Sequence, residues 1–270
     1  MTDPQVTPRG DDDLEAEVRR AMERYGERTA GEYLTGQRAA STFSLHSSYG
    51  QYVQQVTKEL LRSGHAKTCL HVSNATLTDI EAYEEKLSTA TDERPLQEFL
   101  QEHPQVLALG LSSQCRWIIP QTRLSIHYVT DFLTARLDST GLKWTFIELQ
   151  SPREGLFTQK GRPSEHLDEG IRQILDWRTW VDDQGPHARD PKTRGGLGLV
   201  DISSYSRGLI IMGRRENVTD LDRKRLKLIM WNHQIDVRSY DSIAADARAS
   251  LAILNEFPEC EDGCSTETAV

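Results

Sequence analysis

The chain has 270 residues, a formal net charge of −9, and 37% hydrophobic and 27% charged residues. That apolar content suits one large domain, or a modest domain behind a smaller helical one. The acidic balance argues against a protein that coats nucleic acid non-specifically. No apolar run approaches a bilayer span and the polar start does not look like a signal peptide, so no membrane partner and a cytoplasmic location are expected.

Residues 1–13 are rich in Pro, Gly and Asp and read as a disordered tail. From 14 to 88 a mainly helical region is expected, with a regulatory or assembly role. It holds helices over 14–38 and 49–63, the second ending at Gly64, and a short strand over 68–72. Thr78-x-x-Glu81 reads as a capping box opening a helix through Leu87. Asp92 is the expected N-cap of the next helix, with Pro95 in its first turn and Leu96, Phe99 and Leu100 as its apolar face. Pro104 stops this helix at His103. Helical spacing aligns Glu93 with Gln97 and Leu100, so Glu93 faces inward while Glu98 is solvated.

Three strands follow, over 114–119, 126–137 and 143–150, the last two joined by the turn Asp138-Ser139-Thr140-Gly141. A helix runs from the N-cap Ser164 to Val181. Its core stripe is Leu167, Ile171, Ile174 and Val181, beside a second stripe of His166, Gly170, Gln173 and Trp177. A Gly/Pro-rich loop spans 183–206. A strand at 208–213, a helix at 221–233, a strand at 235–240 and a helix at 244–257 complete the domain, before a disordered acidic tail at 258–270. Gly195-Gly196-Leu197-Gly198 has no Lys-Ser/Thr successor and is not a phosphate cradle. The four cysteines are too few and scattered for a disulfide framework, and Cys260 and Cys264 lack a second pair for zinc.

The chemistry sits on the strands. Alternation puts Phe146, Glu148 and Gln150 on one face and Ile147 and Leu149 on the other. With Asp131 on the neighbouring strand, two carboxylates meet at a sheet surface. They repel unless a cation lies between them, and Mg²⁺ or Mn²⁺ prefers such oxygen ligands. Arg207, Arg214, Arg215, Arg223, Lys224, Arg225 and Lys227 form a basic island in the acidic chain. It reads either as a solvated helix face or as a phosphate contact.

The order of elements is mixed α/β (α+β), and it resembles the restriction-endonuclease-like αβββαβ core of the PD-(D/E)XK nuclease superfamily. Leu96-Gln97-Glu98-Phe99-Leu100-Gln101-Glu102-His103-Pro104, Thr130-Asp131-Phe132-Leu133, Ile147-Glu148-Leu149-Gln150-Ser151-Pro152 and Gln173-Ile174-Leu175-Asp176-Trp177-Arg178-x-Trp180 are similar to the Shedu family of anti-phage defence nucleases. Gly208–Gly213 with Arg214 and the closing helix–strand–helix fit the same pattern. The resemblance implies a nuclease-like domain over 89–257 and a metal-dependent DNA endonuclease working as a homo-oligomer. It makes Asp131 and Glu148 the ligands of Mg²⁺ or Mn²⁺, with the backbone carbonyl of Leu149 as a further oxygen. Glu93 would orient the attacking water. Gln173 and Trp177 would support the site from the second helix, with His166, Trp177, Arg214 and Arg215 towards substrate. The superfamily motif ends in Lys where this chain has Gln150, which can hold a water but supplies no charge. Lys160 could reach back to replace it, whereas Lys143 points to the opposite face. The alternative is a nuclease fold that has lost its chemistry and binds or senses nucleic acid.

Overall fold

The computed structural model describes residues 75–111, 117–138 and 141–256. The helices expected over 14–38 and 49–63, the strand at 68–72 and both tails lie outside the described residues. Helices α1 (Leu77–Thr89), α2 (Arg94–Glu102) and α3 (Pro104–Gly110) lead into strands β1 (Trp117–Pro120), β2 (Phe132–Asp138) and β3 (Gly141–Leu149). Then come α4 (Glu165–Asp183), α5 (Gly185–Arg189), β4 (Arg207–Ile211), α6 (Asp220–His233), β5 (Ile235–Arg238) and α7 (Tyr240–Glu256). The five strands form one open sheet in the order β1-β2-β3-β4-β5. The first three run antiparallel as hairpins, and β3, β4 and β5 are mutually parallel. The architecture is therefore a mixed α/β sheet with helices on both faces, as the order of elements predicts.

Each face has its own core, and β3 shows why. Trp144 and Phe146 enter the core beneath α4, whereas Ile147 and Leu149 enter the core beneath α1, α2, α3 and α7. The period of two thus fixes Glu148 on the α4 face. On α4, Leu167, Ile171, Ile174 and Val181 are buried as the stripe predicts. Fully burying one such side chain stabilises the fold by about 1.5–3 kcal/mol. Gly170 is also in that contact, because a Cβ there would stand 3.1 Å from Ile210 and 3.4 Å from Gln150. Its missing side chain lets the first half of α4 lie close over β3 and β4.

Several local expectations are corrected. The first capping box is Thr76/Asp79, two residues earlier than the one expected at Thr78 and Glu81, and α1 runs on to Thr89. Both pairs have the right spacing, and the helix that follows buries Ile80, Tyr83 and Leu87. These side chains share a core with Leu96 and Leu100. Glu93 rather than Asp92 is the cap position of α2, although Asp92 accepts the Arg94 N–H (3.2 Å). Pro104 ends α2 but starts α3, since a proline is tolerated in a first turn. The strand expected from residue 126 starts only at Phe132. Residues 121–131 form a turn-back closed by Gln121 N–H to Asp131 O (2.9 Å) and Leu124 N–H to Tyr128 O (2.9 Å). The loop at 183–206 contains α5 and buries Ala188, Leu199 and Ile202. Among the described residues no helix is long and apolar enough to cross a membrane.

Candidate active site

Strand β2 ends its pairing at Phe132 opposite Ile147. Asp131 is one step beyond the ladder, level with Glu148. Freed from strand pairing, its carboxylate accepts the Leu149 N–H (2.8 Å) and the side-chain amides of Gln97 and Gln121, the latter at 3.5 Å. The Glu148 carboxyl lies beside it, close enough for the two to perturb each other's ionisation. The C=O of a strand residue points to the same edge as its N–H, so the Leu149 carbonyl faces Asp131 as well. Glu148 is 5% exposed. Neither carboxyl makes an ion pair among the described residues.

Burial, first, and then the charge of Asp131 push the Glu148 carboxyl up to about 10. Burial likewise raises Asp131, to about 6, against the lowering effect of the Leu149 N–H. Two carboxyls pressed together without a counter-charge cannot both be ionised cheaply, so the pair keeps a proton to higher pH than a lone carboxyl would.

Gln150 is fixed at four points. Its N–H donates to Ile211 O (2.9 Å) within the β4 ladder, and its carbonyl accepts the Tyr240 hydroxyl (2.8 Å) from α7. Its side-chain Nε2 donates to Glu148 (3.2 Å), and its Oε1 lies 3.2 Å from His166 Nδ1. With the Gln150 Oε1 as acceptor, the donor in this contact is the Nδ1–H tautomer of His166. That bond sets which way round the amide sits, with its donor end towards the carboxyl pair. Ser164 caps α4 by accepting the Leu167 N–H (3.3 Å), which places His166 in the helix's first turn, above Gln150.

A pocket of about 630 Å³ opens over these groups, lined by Glu93, Gln97 and Arg94 from α2 and by Glu165, His166, Glu169 and Gln173 from α4. Gln173 donates to Glu169 (3.3 Å) on the pocket wall. Glu93, Asp131, Glu148, Leu149, Gln150, His166 and Gln173 therefore come together as the sequence predicts.

Four expected residues do not join them. Trp177 is 2% exposed and packs 5.9 Å from Phe146, so it is a core residue and not a substrate contact. One turn beyond Gln173, the stripe has rotated beneath the sheet-facing side of α4. Lys160 is exposed in the turn between Phe157 and Pro163 and does not line the pocket. Arg214 is held by Asp241 (2.9 Å), and Arg215 gives its backbone N–H to the same carboxylate (2.7 Å); neither lines the pocket. Much of the basic island is similarly neutralised, with Arg207 on Asp236 (3.4 Å), Arg223 on Asp220 (2.5 Å) and Arg225 on Asp222 (3.6 Å).

Other contributors were not read from sequence. Gln97 was legible from its spacing to Glu93. Gln121 and Tyr240 reach the site only through the chain's turn-back and the docking of α7, and no local pattern marks them. Among the described residues no three His, Cys, Asp or Glu side chains converge as a ready ligand set. The carboxyl pair and the Leu149 carbonyl would supply the oxygens instead, a hard donor set of the kind Mg²⁺ or Mn²⁺ takes.

Fold and pocket together define a mixed α/β protein with a buried carboxyl pair at the edge of an open sheet, between two helical layers. Residues 90–243 match the family described as Shedu protein SduA, C-terminal. The match spans more than half of the sequence, and the chain belongs to the Shedu family, which places it with proteins of anti-phage defence. No curated protein matches the chain.

Proposed function

We propose that this protein is a divalent-metal-dependent DNA endonuclease with a restriction-endonuclease-like, PD-(D/E)XK type of site, used against phage. The observation that carries this reading is the pairing of half-buried Asp131 with buried Glu148, with no cationic side chain beside them among the described residues. Such a pair is costly to the fold, and a cation from solution relieves that cost. Bound by Asp131, Glu148 and the Leu149 carbonyl, Mg²⁺ would lower the pKa of water and offset the charge developing on phosphorus.

The chain's own residues do the positioning. Gln97, Gln121 and the Leu149 N–H hold Asp131 from three sides, and Gln150 steadies Glu148. Glu93, which lines the α2 side of the pocket, would orient the attacking water and take its proton. Gln150 presents an N–H donor where the superfamily has a lysine, so it can hold a water but adds no charge. Gln173 restrains the opposite wall through Glu169. DNA is the proposed partner, and the protein is proposed to work as a cytoplasmic homo-oligomer.

The test is nicking or cleavage of supercoiled and linear DNA with Mg²⁺, Mn²⁺ or EDTA, for the parent protein and for Asp131→Ala and Glu148→Ala. Metal-dependent cleavage lost in both variants supports the reading. Undiminished cleavage in both sinks the site. Gln150 favours one second reading, a nuclease fold that binds nucleic acid without cutting it. Under that reading the parent is inactive with every metal, and Gln150→Lys gains cleavage.

A further inference from the structure

We propose that Arg94 binds a phosphate of the substrate backbone and that Glu98 holds it in reserve until nucleic acid arrives. This rests on the DNA reading above and names a residue that reading does not use.

The pocket has a charge problem. Glu93, Asp131 and Glu165 line it beside the proton-retaining Glu148 and the Arg172-paired Glu169 (2.8 Å), and Arg94 is the one lysine or arginine among its described lining residues. A phosphodiester approaching these carboxylates is repelled unless a cation meets it. Among the described residues the nearest other cations are committed, with Arg172 held by Glu169 (2.8 Å) and Asp176 (3.1 Å). Arg214 is paired with Asp241, Arg153 donates its Nε to Ala90 O (2.9 Å), and Lys160 does not line the pocket.

Arg94 is poorly explained by the fold. It is the first residue of α2, the positive end of the helix dipole, where a cation is disfavoured. Its side chain is 80% exposed, so it holds no core in place. Among the described residues its one ion pair is with Glu98 (3.0 Å from Nε), itself 60% exposed and four residues on. Exposed pairs are weak, and Arg before Glu is the less favourable order on a helix. The pair is therefore easily given up. A guanidinium offers a planar fork of donors that matches two phosphate oxygens, a better partner than one exposed carboxylate.

The experiment measures binding of the full chain to a labelled DNA duplex in Ca²⁺ by fluorescence anisotropy, across a salt series. Arg94→Gln should weaken binding about tenfold or more and reduce the salt slope by about one phosphate contact. Glu98→Gln should tighten binding about two- to fivefold by releasing the guanidinium. In the Arg94→Gln background, Glu98→Gln should do nothing. Arg94→Lys should restore part of the affinity. Both positions are exposed, so thermal melts should coincide with the parent's. Parent-like binding and slope in Arg94→Gln would overturn the assignment. An equal gain from Glu98→Gln with and without Arg94 would overturn the reserve role, since it would then report only the loss of a negative charge. A parent protein that binds no DNA overturns the nucleic-acid reading itself, and this inference with it.

Discussion

Replacing Glu148 by glutamine should stabilise the metal-free protein, and increasingly so as pH rises. In the fold, Glu148 is pushed up to about 10 and Asp131 to about 6, against ordinary values of 4.5 and 3.8. A carboxyl raised in the native state binds its proton where the unfolded chain has already released it. Its stabilising protonation is complete below the unfolded value and becomes more costly through every pH unit up to the folded one. Between about pH 6 and pH 8 the native pair retains one such proton, at about 1.4 kcal/mol per unit, or about 3 kcal/mol over the window. Glu148→Gln keeps the shape and still offers a hydrogen to Asp131, but it has no proton to retain. Its stability should change far less over that window, opening a gap on the order of 10 °C in Tm by the alkaline end. The assay is urea and thermal unfolding of both proteins in EDTA at matched ionic strength. Parallel pH profiles for the two would show that the pair retains no proton and that the charge argument is wrong. Added Mg²⁺ should stabilise the parent, more strongly at higher pH as it displaces the shared proton, and should leave Glu148→Gln almost unchanged.

His166 should act through the Gln150 amide. His166→Ala frees that amide to turn over and should weaken Mn²⁺ binding measured by calorimetry about fivefold, the worth of one hydrogen bond, whereas His166→Asn, which keeps a donor near the Nδ1 position, should restore most of it; equal losses in both would remove this positioning role. Trp177→Ala should destabilise the protein by about 3–5 kcal/mol through the cavity it leaves, while Trp177→Phe should leave DNA binding unchanged. Weaker DNA binding in Trp177→Phe, with an unaltered melt, would return Trp177 to the substrate surface.

Much of the site was legible because it follows from local periodicity. Alternation along β3 assigned Glu148 to the face opposite Ile147 and Leu149, and helical spacing put Glu93 in line with Gln97. Spacing failed where two solutions were locally equal, as with the Thr76/Asp79 and Thr78/Glu81 caps. It also failed where burial depends on the angle at which a helix meets the sheet, as with Trp177. Lys160 was suggested by nearness in sequence to Gln150, yet the turn at 157–163 leads it away from the pocket.

What the sequence determined by itself was therefore the order of the main strands and helices from residue 77 onward, the faces of β3 and the core stripe of α4, since these are set by contacts within a few residues. Tertiary structure decided what surrounds the carboxyl pair. Tyr240 reaches Gln150 across 90 residues, and Gln97 reaches Asp131 across 34. Arg214 is taken from the solvent by Asp241, 27 residues on. Such contacts depend on how layers dock, and docking is fixed by the whole core. The same holds for the absence of any cationic partner beside Asp131 and Glu148 among the described residues. Local pattern can show that two acids lie on adjacent strands, but only the packed fold shows that no basic side chain arrives to meet them.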